Sequence, residues 1–212
     1  MLKLHYLAIE GVIGVGKTSL AKKLAERFNA RLVLEQPEEN PFLEDFYRDP
    51  QRFAFQTQLF FLLSRFRQQE EIPQRDLFHD LVISDYIFAK DRIFAHLNLE
   101  DRELALYDRV ASLLEKEVPV PDLVVYLQSS PERLMANIRK RNRPYERNMS
   151  EEYIRSLCEA YNRFFFHYNQ SPLLVVNATQ IDFVNREEDF EDLATQIMRP
   201  HRGVEFYSPV RG

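Results

Sequence analysis

The chain has 212 residues, 45% apolar and 29% charged, a composition that supports one folded domain and excludes disorder. Its net charge of −5, from 28 basic and 33 acidic residues, gives no support to binding a nucleic acid polymer. No run approaches the ~18 apolar residues of a membrane span, and a single cysteine, Cys158, excludes an internal disulfide or a cysteine-rich zinc site. Cys158 reads as a packed, inert thiol in a helix, and Met1 to His5 has no signal-peptide layout, so a soluble cytoplasmic protein is expected. There are 17 Phe and 10 Tyr but only 5 Gly, and three of those glycines stand at Gly11, Gly14 and Gly16.

Taken in order, Tyr6 to Ile9 is a short apolar run ending at glycines, the pattern of a buried strand. Thr18 to Phe28 follows as a helix, with Leu20, Leu24 and Phe28 on one stripe. Arg31 to Leu34 is a second strand, and Phe53 to Gln69 a long aromatic helix without internal Gly or Pro. Leu81 to Ile83, Leu123 to Leu127 and Leu173 to Val176 are three further strands, the middle one launched by Pro119 and Pro121. Helical patterns occupy 101–117, 131–141, 150–169 and 187–198. This alternation predicts an α/β fold, a five-stranded parallel sheet flanked by helices, in one domain over 1–198. Residues 199–212, with Pro200, Gly203, Pro209 and Gly212 and no periodicity, read as a C-terminal tail.

Gly11-Val12-Ile13-Gly14-Val15-Gly16-Lys17-Thr18 satisfies G-x-x-x-x-G-K-[ST] at each fixed position, between a strand and a helix. The glycines let backbone N–H groups turn toward a phosphate, at a helix N-terminus whose dipole favours anions. Lys17 can reach the β- and γ-phosphates of a nucleoside triphosphate such as ATP, and the Thr18 hydroxyl can ligate Mg²⁺. Glu35 ends the second strand and Asp85 follows the third, and ligands in parallel sheets gather at the carboxyl ends of strands. One such acid can hold Mg²⁺ or its waters while the other accepts a proton from an attacking hydroxyl. Asp85 equally suits a Walker B type acid of a nucleotide hydrolase.

Across almost the whole chain these pieces resemble the deoxynucleoside kinases, closest to the bacterial deoxyadenosine/deoxyguanosine branch. The matching segments are Ile9 to Thr18, Glu35 with Asn40-Pro-Phe-Leu43 and Phe46-Tyr47, Phe53-Ala-Phe55 through Ser64-Arg65, Asp85 through Asp91 to Ile93-Phe-Ala95, and Arg141-Asn-Arg-Pro-Tyr-Glu146. The resemblance implies a P-loop kinase fold with an arginine-rich lid at about 139–149, and phosphoryl transfer from ATP to the 5′-hydroxyl of a deoxynucleoside. Glu35 would be the general base and Asp85, with Thr18, would serve Mg²⁺. Gln58 and Arg65 match base-reading residues, and their seven-residue spacing independently returns to nearly one helix face. Asp91 matches a second base-contacting acid, Phe94 the ring that stacks on the base, and Tyr47 with Glu146 a pair on the sugar 3′-hydroxyl. In the basic cluster Arg139-Lys-Arg-Asn-Arg143, Arg141 and Arg143 match the family's R-x-R over the phosphates, with Arg139 beside them. Asp182 and Phe183 would flank the ATP adenine, and the family's helix-bundle homodimer would cover the apolar surface of the 53–69 and 101–117 helices.

Two positions depart from the family. Its acid–Arg–Ser reads Asp85-Tyr86-Ile87, and the helix arginine before the lid is Asn137. Arg139 or Arg133 could compensate, and Tyr86 is similar to what deoxyguanosine-type bacterial members carry. Gln58 with Asp91 suits adenine or cytosine while Tyr86 leans toward guanosine-type members, so deoxyadenosine or deoxyguanosine is the expected acceptor, with deoxycytidine a third. The rivals are a nucleoside monophosphate kinase of thymidylate type, which would need cations beside an acceptor phosphate, and a non-catalytic subunit of a kinase heterodimer.

Overall fold

A computed structural model describes residues 4–73, 78–147 and 149–209. Residues 1–3 and 74–77 of the expected domain, Asn148 of the expected lid and 210–212 of the expected tail lie outside the described residues. The chain builds a parallel sheet from β1 (Tyr6–Gly11), β2 (Arg31–Val33), β3 (Val82–Ser84), β4 (Leu123–Gln128), β5 (Leu173–Asn177) and β6 (Val204–Tyr207), in the order β2-β3-β1-β4-β5-β6. All six residues of β1 are buried, because helices cover both faces of a central parallel strand. β1 pairs with β3 on one side and β4 on the other, so the connections diverge from its carboxyl end and leave a crevice there.

The sheet has six strands, not the expected five. The sixth forms within the segment expected to be a tail, where β6 pairs in parallel with β5 from Leu173↔Val204 to Val176↔Tyr207. Leu173 to Val176 are buried, and without a neighbour their outer backbone groups would lie unpaired at an apolar edge. Val204, Phe206 and Tyr207 are β-formers, and the Gly and Pro around them delimit the strand.

The helices are α1 (Lys17–Phe28), α2 (Leu43–Arg48), α3 (Pro50–Glu70), α4 (Lys90–Asn98), α5 (Asp101–Leu114), α6 (Pro131–Arg141), α7 (Glu151–Phe166) and α8 (Glu187–Met198). Their starts follow local chemistry. Asp49 accepts from Arg52 N ahead of Pro50, Ser130 from Arg133 N ahead of Pro131, and Ser150 from Tyr153 N. α6 ends at Asn142 in the left-handed region, φ 52°. The main core joins the sheet to the helices around it, while a second cluster (Leu62, Phe88, Ala95, Tyr107, Ala111) is assembled from α3, α4 and α5 with Phe88 just ahead of α4. That cluster fixes α3 and α4 relative to the carboxyl ends of β2 and β3, and through them the walls of the crevice.

Candidate active site

At the mouth of the crevice the Gly11–Thr18 loop turns from β1 into α1. Gly14 has φ +88°, and a Cβ there would lie 2.8 Å from the Leu134 carbonyl oxygen, which cannot yield. Gly16, at φ +103°, lets the Phe183 ring approach to where a Cβ would be 3.1 Å away. Asn137 Nδ2 donates to Gly14 O at 2.8 Å and so ties α6 to the loop. Lys17 Nζ donates to Gly11 O at 2.6 Å and Val12 O at 3.3 Å. Burial, with the like charge of Lys90, pushes its pKa down to about 8.

Thr18 Oγ1 donates to Asp85 Oδ2 at 2.5 Å, and Asp85 Oδ1 accepts the backbone N–H of Glu35 at 2.8 Å. One carboxylate thus links the start of α1 to the end of β2 and aims Glu35. The Glu35 side chain receives Lys90 Nζ on Oε2 at 2.7 Å and Arg65 Nε on Oε1 at 3.0 Å. Burial alone would favour the neutral acid, yet the Lys90 ammonium and the Arg65 guanidinium outweigh it and hold this carboxyl well below the usual carboxylate range. Arg65 reaches on to Asp91 Oδ1, and Asp91 Oδ2 accepts the Tyr107 hydroxyl at 2.7 Å. Across the same region Glu10 accepts Gly11 N at 2.9 Å and Ile87 N at 3.0 Å, fastening the phosphate loop to the segment after β3.

Beyond Glu35 the cavity, of about 760 Å³, continues past Gln58, Phe61, Phe94 and Tyr153 to Tyr47 and Glu146. Gln58 is 2% exposed and its Oε1 has no hydrogen-bond partner among the described residues. Tyr47 stacks on Tyr145 with centroids 6.0 Å apart. Burial, reinforced by Tyr153 and Glu146, raises the Tyr47 hydroxyl pKa and keeps it a proton donor. Arg141 holds the buried Glu146 through Nη2 at 2.5 Å and Nε at 3.1 Å, while Arg143 pairs with Glu38 at 3.3 Å. Asn40, in the matched Asn40 to Leu43 segment, donates to Thr57 O at 3.1 Å and accepts Phe42 N at 3.0 Å, packing α2 against α3.

The structure gathers most of the expected residues around this one cavity: Ile13 to Thr18, Glu35, Tyr47, Gln58, Arg65, Asp85, Phe94, Arg141, Arg143, Glu146, Asp182 and Phe183. Gly11 and Val12, the first residues of the loop, do not line the cavity, and Asp91 reaches it only through Arg65. Tyr86 is fully buried, its hydroxyl donating to Gln68 Oε1 at 2.7 Å while Gln68 Nε2 donates to Leu34 O at 3.1 Å. It braces the end of β2 and does not line the cavity. Arg139 is exposed and outside the lining, whereas Arg133, Asn137 and Lys140 are part of it. Sequence reasoning missed Lys90, a cation five residues past Asp85 with no motif of its own.

The family model described as deoxynucleoside kinase matches residues 7–201. The deoxyguanosine kinase of Bacillus subtilis (strain 168) is 33% identical over 197 residues, 91% of this chain and 95% of its own. The deoxyadenosine kinase of Dictyostelium discoideum is 34% identical over 209 residues, 97% of this chain and 82% of its own. A solved structure of deoxyadenosine kinase from M. mycoides with bound dATP superposes with a TM-score of 0.79 at 25% identity, covering 91% of this chain and 98% of that one.

Proposed function

Since the chain belongs to the deoxynucleoside kinase family, and so is an enzyme that phosphorylates deoxynucleosides, we propose that it transfers the γ-phosphoryl group of ATP to the 5′-hydroxyl of deoxyadenosine or deoxyguanosine, with deoxycytidine a third acceptor. The observation that carries this reading is the place of Glu35: an ionised carboxylate between the phosphate loop and the Gln58 end of a single cavity. A neutral hydroxyl needs such an acceptor for its proton. In the step, the 5′-oxygen bonds to the γ-phosphorus as the bond from phosphorus to the β,γ-bridging oxygen breaks. The hydroxyl proton passes to Glu35 and ADP leaves with the electron pair.

Lys17 and the loop amides hold the phosphates from the donor side, and Arg141 and Arg143, which line the cavity paired with Glu146 and Glu38, turn to the phosphates when ATP binds, where cations stabilise charge on the transferred group. Phe183 under Gly16 and the neighbouring Asp182 form the adenine side. Thr18 and Asp85 offer an all-oxygen pair, and among the described residues no group of three or more His, Cys, Asp or Glu could hold a metal ion. A hard cation that keeps most of its ligands for phosphate and water fits that pair, and bound Mg²⁺ would supply neutralisation of phosphate charge. Gln58 can donate to and accept from a base edge, with Phe94 beside the ring, Arg65 and Asp91 behind the edge, and Tyr47 with Glu146 at the sugar.

The acidic balance suits a free nucleoside rather than a nucleic acid polymer as partner. No helix among the described residues is long and apolar enough to cross a membrane. A cytoplasmic homodimer is the reading that the resemblance to the family supports. Assays of the four deoxynucleosides and their ribose counterparts with ATP and Mg²⁺ test the acceptor, and a purine deoxynucleoside should give the highest kcat/KM. Glu35→Gln should lower kcat about 100-fold or more while ATP affinity stays within about threefold. Full activity in that variant would remove Glu35 as the base.

A further inference from the structure

Lys90 is the first residue of α4, and its side chain is 4% exposed although it lines the cavity. Among the described residues its ammonium has one hydrogen-bond partner, Glu35 Oε2 at 2.7 Å. It lies 5.7 Å from the centroid of the Phe94 ring, at the border between the phosphate and nucleoside halves. Its field acts on Lys17, whose own ammonium sits on the phosphate loop, and the buried Glu10 carboxylate feels both cations. The backbone beneath Lys90 is fixed, since its N–H donates to Ile87 O at 3.1 Å and Ile87 N–H donates to Glu10 at 3.0 Å.

Arg65, the other cation on Glu35, is placed differently. Its fork spans Glu35 and Asp91, Tyr107 backs Asp91, and its face of α3 is shared with Gln58. Arg65 is thus fixed at both ends of its fork. Lys90 has a four-carbon flexible stem and a single partner, so its ammonium can pass between neighbouring anions without disturbing the fold.

We propose that Lys90 is a catalytic residue: its ammonium leaves Glu35 Oε2 for a γ-phosphoryl oxygen as the 5′-hydroxyl takes its place on Glu35. Lys90 keeps its protons throughout. The 5′-oxygen-to-phosphorus bond forms, the bond to the bridging oxygen of ADP breaks, and the hydroxyl proton goes to Glu35. Lys17 then holds the transferring group from the donor side and Lys90 from the acceptor side, and arrival of the donor phosphate exposes the base. This inference rests on the assignment of Glu35 as base.

The test uses the full chain with Lys90→Gln, Lys90→Met, Lys90→Arg and Glu35→Gln, each checked by thermal melting and by ATP binding. Lys90→Gln keeps a hydrogen-bond donor on a slightly shorter side chain and removes the charge, and Lys90→Met removes both. The expected result is a kcat lowered about 100-fold in Lys90→Gln and Lys90→Met, with KM for both substrates within about threefold, and recovery of at least about a tenth of the activity in Lys90→Arg. A folded Lys90→Gln or Lys90→Met enzyme with the parent kcat would overturn the role, as would a loss confined to KM. If Glu35→Gln is inactive while Lys90→Gln is fully active, only Lys90 is misassigned. An active Glu35→Gln enzyme removes the base and this inference with it.

Discussion

Gln58 shows how a single side chain can be placed for a ligand at a cost to the fold. A buried amide oxygen without a partner is unfavourable, and Gln58 carries one at the wall of the nucleoside half of the cavity. Gln58→Leu should therefore raise stability by about 1 kcal/mol in thermal or urea unfolding, while raising the KM for the deoxynucleoside about tenfold or more. A variant that is destabilised and binds nucleoside normally would make Gln58 a structural residue. Glu35 was readable from the sequence because the carboxyl end of a parallel strand is a position with a chemical meaning. Lys90 was not, since a lone lysine carries no local signal that separates a cavity wall from a solvated face. Tyr86 was misplaced for a related reason: its neighbour Asp85 faces the cavity, but its own ring turns inward and its hydroxyl reaches Gln68.

Among the elements, the strands with buried runs and the long helices were legible, whereas α2, α4 and β6 were not. α2 has six residues and β6 four, too few to show a period. α4, of nine residues, begins on residues whose resemblance to a binding segment overshadowed their helical pattern. The consequence for β6 is testable. Truncation after Arg199 removes β6 and leaves the outer edge of β5 unpaired over buried Leu173 to Val176. It also deletes the Tyr207 hydroxyl bond to Asp192 on α8. The truncated protein should melt lower by about 5 °C or more, with the KM for deoxynucleoside unchanged, because no described residue after Asn185 lines the cavity. An unaltered melting temperature would make β6 dispensable.

At the scale of the whole molecule, α5 buries Tyr107 and Ala111 against α3 and α4 while Leu106 and Leu113, seven residues apart on one face, remain 52% and 68% exposed. A homodimer through this face would cover them. Sedimentation should then show a dimer for the parent and a monomer for the Leu106→Glu, Leu113→Glu double variant, and a monomeric parent would reject the interface. The sequence by itself determined the phosphate loop, the strand–helix alternation and the acids at the strand ends, because each depends on backbone geometry and periodicity within a few residues. Only the tertiary structure decided which cations meet those acids. Lys90 lies 55 residues from Glu35, Arg65 lies 30 from Glu35 and Asp91 lies 26 from Arg65, separations closed by packing α3 and α4 beside β2 and β3. Charge pairing of that kind is a property of neighbouring elements in space, so no local pattern along the chain could contain it.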